Sequence, residues 1–246
     1  GKKLFYDRRL SLNNTFSCAM CHIPEQGFSS HEMATAVGIE GRSVGRNSPT
    51  LYNVAYAKLL FHDGRENSLE QQVWAPLLAH NEMGNPSIGY VIDKIKSLPD
   101  YAGLFEQSFS TAPDMLNVGQ AIASYECSLN SANSPFDLWF FGKQADAVSD
   151  EVKRGYQLFS GKAGCSACHS IDKNVALFTD HQLHNTGIGY RESMQTAPET
   201  QKVQVAPGVF IEVETHKFSS VSATKTNDLG RYAITQNPDD RWKYKT

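Results

Sequence analysis

No run of the 246 residues approaches the roughly 20 consecutive apolar positions of a membrane-spanning helix. A basic excess is missing as well. Lys and Arg number 23 against 26 Asp and Glu, a formal net charge of −3, so the chain carries no electrostatic footprint for nucleic acid. Cysteine is scarce: there are five in the whole chain, and four of them fall in two five-residue stretches. The length suits one large or two modest globular domains.

Those stretches are Cys18-Ala19-Met20-Cys21-His22 and Cys165-Ser166-Ala167-Cys168-His169. Each reads Cys-x-x-Cys-His, the attachment signature of a c-type haem. Two thiols three positions apart on one turn can both reach the vinyl groups of one porphyrin. The following His then lies under the ring as an iron ligand. A redox dithiol explains Cys-x-x-Cys but does not call for a trailing His twice. A zinc site made from both pairs would need them at zinc-ribbon spacing, and they lie far beyond it. Two covalent haems are the expected cofactors, held by Cys18, Cys21, Cys165 and Cys168, with His22 and His169 on the irons. Covalent haem attachment in bacteria takes place outside the cytoplasm, so a periplasmic location and a leader removed ahead of Gly1 are expected. Cys127, on an apolar helical stretch, is expected to be a buried, inert thiol.

Gly1-Lys2-Lys3-Leu4-Phe5 and Gly155-Tyr156-Gln157-Leu158-Phe159 precede the two motifs, and both read Gly-x-x-Leu-Phe. This weak repeat suggests two similar units. Ahead of the second motif Ser149 can cap a helix, with Asp150 and Glu151 in its first turn and Val152, Tyr156 and Phe159 on one face. Residues 68–80 read as a helix opened by a Ser68/Gln71 capping box and kinked or ended by Pro76. Helical periodicity over 87–109 breaks at Pro99, and 117–129 is the cleanest helix, with Val118, Ile122, Tyr125 and Leu129 on one stripe. Asn130 to Pro135 then sets a boundary between domains 1–133 and 134–246. Val203/Val205 and Val209/Ile211/Val213 alternate around Pro207-Gly208, which predicts a β-hairpin with a type II turn. The expected fold is mainly α: two cytochrome c-like haem domains with long loops, and a small β-hairpin in the second.

Further motifs carry a family resemblance. Asn47-Ser48-Pro49-Thr50-Leu51-Tyr52-Asn53-Val54, Phe61-His62-Asp63-Gly64-Arg65, Leu69-Glu70-Gln71-Gln72 and Glu82-Met83 resemble the bacterial di-haem cytochrome c peroxidases. Residues 130–136, Phe178-Thr179-Asp180-His181, His184-Asn185-Thr186-Gly187 and Asp228-Leu229-Gly230-Arg231-Tyr232 are closer to the MauG branch of that family. The resemblance implies an oxidoreductase whose first haem is peroxidatic and whose second relays electrons. It implies a peroxide pocket formed by Gln72, Pro76 and Glu82 above the haem of His22. Glu82 would be the general acid–base, a role that a carboxylate in a partly apolar pocket can fill. A calcium ion between the domains, with Asn47 as a ligand, is implied too, and its oxygen chemistry suits that ion. The implied partners are hydrogen peroxide and a small electron donor, a cytochrome c or a cupredoxin, with a homodimer as the common assembly. The MauG-like alternative oxidises aromatic side chains of a partner protein. A non-catalytic electron-transfer cytochrome is a third reading, against which Gln72 and Glu82 argue.

Three features depart from the family. Ile39 follows Gly38 where many members carry a His that plugs the peroxidatic haem, so this site is expected to be open without prior reduction; His31 and Met33 are the candidate substitutes. His62 stands where a Trp relay is usual, and imidazole is much harder to oxidise than indole; Trp74 reads as helix core. The chain ends at Thr246, ahead of where the family carries the second haem's other axial ligand, and Tyr190 or Met194 are the residues at hand. His181 and His184 have metal-ligand spacing without a third ligand, and are expected to bond a propionate or backbone near the second haem.

Overall fold

The first half is organised on helix α6 (Met115–Cys127), which a capping box starts. Asp114 accepts from the backbone N–H of Asn117, whose side chain accepts from Asp114, so two orphan donors are satisfied. In the computed structural model, which describes residues 1–33, 35–194, 199–217 and 228–246, helices α1 (Lys2–Tyr6), α2 (Leu69–Gln72) and α4 (Ile88–Ser97) pack on α6. Gly119 lets α2 approach closely, since a Cβ there would stand 2.4 Å from the Glu70 carbonyl oxygen. Helix α5 (Leu104–Phe109) follows the interruption at Pro99, as the periodicity predicts.

Three details differ from what the sequence predicts. Residues 68–80 form two short helices, α2 and α3 (Trp74–Leu78), parted at Val73. Pro76 has no N–H for the Gln72 carbonyl and its ring crowds that oxygen, so the helix breaks one turn ahead of the proline. The expected capping box is not formed; the Ser68 hydroxyl donates to Glu70 at 2.6 Å instead. Cys127 is exposed rather than buried. The inward stripe of α6 continues from Gly119 through Ile122 and Ala123 to Glu126, and one further residue turns the thiol out to solvent.

The second half contributes α7 (Pro135–Phe140), α8 (Asp150–Ser160) and α9 (Ile188–Ser193). Ser149 caps α8 by accepting from the Val152 N–H. Strand β1 (Leu183–His184) pairs antiparallel with β4 (Tyr244–Lys245), and β2 (Thr200–Ala206) pairs with β3 (Val209–Glu214) as the expected hairpin. Gly208, at φ +71°, supplies the left-handed residue that a type II turn after Pro207 needs. Among the described residues, every buried apolar side chain lies between Leu4 and Ala123. In the second half, the half-buried rings of Phe136, Phe159 and Phe178 gather beside its Cys-x-x-Cys-His motif. The fold is mainly α with small antiparallel sheets, and no helix among the described residues is long and apolar enough to cross a membrane.

Candidate active site

Both motifs fold the same way. Cys18–Met20 and Cys165–Ala167 are 3-10 turns, each extended by a bond from the His N–H to the first Cys carbonyl, 2.9 Å for His22 and 3.0 Å for His169. His22 Nδ1 lies 3.1 Å from the Phe28 carbonyl and 3.0 Å from that of Pro49. Since carbonyls only accept, Nδ1 carries the hydrogen and Nε2 keeps its lone pair for a metal. His169 Nδ1 makes the same bond to the Phe178 carbonyl at 2.9 Å. Phe28 and Phe178 share a left-handed backbone, φ +55° and +54°, which a bulky residue adopts only at a cost. Their rings meet the Phe of the Gly-x-x-Leu-Phe repeat edge to face, Phe5–Phe28 at 6.2 Å and Phe159–Phe178 at 5.8 Å. The repeat therefore extends from the thiols to the buttress behind each histidine.

Cys18, Cys21 and His22 line a cavity of about 340 Å³. Burial pushes both thiols up to about 12, a setting that suits an uncharged sulfur such as a thioether. Burial also pushes His22 down from its ordinary value, which keeps the ring neutral for iron. Two uncharged sulfurs and a neutral imidazole with an oriented Nε2 fit a covalently held haem. At the second motif the donor set is the same, on a wall formed by Phe136, Phe159 and Phe178. That motif is more open to solvent, with Cys165 and His169 exposed.

Gln72, Pro76 and Glu82 line the first cavity together with the thiols and His22. Burial raises Glu82 above the ordinary carboxylate range, and the charge of Arg65 partly offsets this. The Glu82 backbone is held by the loop that carries Gly38 and Ile39. Ile39 N–H donates to the Glu82 carbonyl at 2.9 Å, and a Cβ on Gly38 would stand 2.2 Å from the Asn81 carbonyl oxygen. Ile39 itself is packed in the core, 2 % exposed, and the cavity wall includes neither it nor His31 or Met33. Met83 reaches the wall from within the apolar core, where Trp74 is buried too.

Asn47 lies at the cavity rim, and its backbone carbonyl accepts from His62 Nε2 at 2.9 Å. His184 pairs with Asp180 at 2.8 Å, near Cys168; His181 is not part of that cluster. Tyr190 packs edge-on to Trp242 at 5.0 Å, and Met194 is exposed. Arg46, Arg65, Glu126 and Lys245, to which the sequence assigns no role, also line the cavity. Asp63 lies between Arg46 and Arg65, each at 2.7 Å, and Arg46 also grips Asp228 through two bonds of 2.7 Å. Glu126 is buried, its Oε2 has no hydrogen-bond partner, and burial pushes it up to about 8.

Fold and sites together fit a protein that holds two c-type haems, with a carboxylate on the wall of the cavity beside the first motif. The chain belongs to the di-haem cytochrome c peroxidase family, whose sequence profile matches residues 1–145. It is 39% identical over 190 residues to the methylamine utilization protein MauG of Methylorubrum extorquens, covering 76% of this chain and 52% of that protein. It is 34% identical over 258 residues to the cytochrome-c peroxidase IdrP1 of Denitromonas iodatirespirans, covering 100% of this chain and 63% of that one. The chain thus spans between half and two thirds of the length of these relatives. In fold it matches the crystal structure of the diheme peroxidase BthA from Burkholderia thailandensis with a TM-score of 0.75 at 20% identity, over 100% of this chain and 63% of that one.

Proposed function

We propose that this chain carries the peroxide-reducing centre of a di-haem peroxidase, with residues 1–133 and 134–246 each holding one haem. His22 would hold a haem whose iron offers peroxide a binding position, and His169 would hold one that supplies electrons from a small redox protein. Glu82 removes the proton from the peroxide oxygen nearer the iron and returns it to the farther one, which leaves as water. Gln72 offers both a donor and an acceptor to the bound peroxide, and Pro76 closes the wall without adding an iron ligand. Two electrons and two protons complete the reduction of hydrogen peroxide to two waters. Asn47 is proposed as a calcium ligand through its side-chain oxygen, since His62 engages only its backbone carbonyl.

The observation that carries this reading is the convergence of Glu82, Gln72 and Pro76 with Cys18, Cys21 and His22 on one cavity. Glu82→Gln should slow peroxide consumption by roughly 10²- to 10⁴-fold at unchanged haem content. A rate equal to the parent's would remove Glu82 from the mechanism. A MauG-like reaction is the second reading, favoured by Ile39, which lies in the core instead of offering the iron a ligand. Peroxide consumption without an electron donor, coupled to oxidation of a partner protein's aromatic side chains, selects it.

A further inference from the structure

Three cations line the first cavity: Arg46, Arg65 and Lys245. The two arginines are balanced by two carboxylates, Asp63 and Asp228. Burial lowers the pKa of His62 beside them, so that ring adds no charge near neutral pH. Lys245 stands apart. Among the described residues no carboxylate lies within ion-pair distance of it. Its Nζ donates to the Leu59 carbonyl at 3.2 Å, which leaves two of its three hydrogens uncommitted. The side chain is half-buried, and burial alone depresses its basicity.

The backbone that carries Lys245 is pinned from both sides. Its N–H donates to the His62 carbonyl at 2.8 Å, and in the β1–β4 pair it lies opposite Leu183. Drawing an ammonium partly out of water without a counter-ion costs free energy that a nearby anion recovers. A haem attached through its vinyl groups turns its two propionates to the opposite edge of the ring, and those carboxylates need cations. We infer that Lys245 binds a propionate of the haem carried by Cys18 and Cys21, so that the strand following the second motif completes the first haem's site. This rests on the proposed haem at His22.

The test is a spectroelectrochemical titration of both haems in the haem-loaded protein. Lys245→Met leaves the propionate charge uncompensated beside the iron, which favours the ferric state. The potential of the haem at His22 should therefore fall, while that at His169 stays where it was. Lys245→Arg keeps the cation and should hold the parent value. Should the Met variant fail to fold, Lys245→Gln removes the charge while keeping a hydrogen-bond donor and makes the same comparison. An unshifted potential at His22, an equal shift at both haems, or an Arg variant that falls as far as the Met variant overturns the inference. A parent protein that loads no haem at Cys18 and Cys21 overturns the haem reading along with it; a loaded parent with unshifted variants overturns this inference alone.

Discussion

Glu126 occupies a position that the helical stripe of α6 reserves for an apolar side chain, behind Gly119, Ile122 and Ala123. In the unfolded chain it ionises near 4.5, whereas in the fold it holds its proton to about 8. A raised acid pKa means that stability is greatest below the unfolded value and declines as pH climbs toward the folded one. Glu126→Gln should abolish that decline, with a gain on the order of 3 kcal/mol by pH 8. Thermal midpoints of parent and variant at pH 5 and pH 8 check it; parallel pH profiles would contradict it. The two Cys-x-x-Cys-His motifs were legible at this scale because they are local patterns. Glu126 was not, because a lone acid in an apolar stripe reads as an end-of-helix residue until its neighbours are known. The Phe28 and Phe178 carbonyls that orient the histidines were hidden for another reason: a backbone acceptor leaves no mark on residue identity.

Among the elements, the best-read were those with caps and breakers of their own. Pro99, the Asn130–Pro135 stretch and Pro207-Gly208 stop or turn the chain where their chemistry says they must. The loop that carries Gly38 and Ile39 has no such periodicity, yet it fixes Glu82. Gly38 has an ordinary negative φ, so its role is close approach and not backbone freedom. Gly38→Ala should push the Asn81–Glu82 segment away. We expect peroxide consumption to drop at least tenfold while haem content and the spectrum of the second haem stay the same. Parent-level turnover in that variant would mean that the loop does not position Glu82.

Across the whole molecule, the two halves are joined through Arg46, which spans Asp63 and Asp228. Burial alone would raise Asp63; the Arg46 hydrogen bond and the Arg65 and Arg46 charges hold it below its ordinary 3.8 instead. The contribution is therefore complete above about 4 and is lost as pH falls through the depressed value. Arg46→Ala leaves a buried carboxylate with one partner fewer and should cost about 3 kcal/mol in denaturant unfolding. Asp228→Asn, at a half-exposed site, should cost less. Pairing across some 180 positions could not be read from a single sequence, because charge complementarity at long range has no periodic signature.

On the proposed reading, a haem at His22 would lie in a cavity that offers peroxide an open iron beside the Glu82 carboxylate. The most direct measurement is an EPR spectrum of the haem-loaded, all-ferric protein before and after one equivalent of hydrogen peroxide. We predict a high-spin signal from the haem at His22 that disappears on adding peroxide, without prior reduction. Two low-spin haems that ignore peroxide would contradict the claim and mean that a side chain of this protein already occupies that iron.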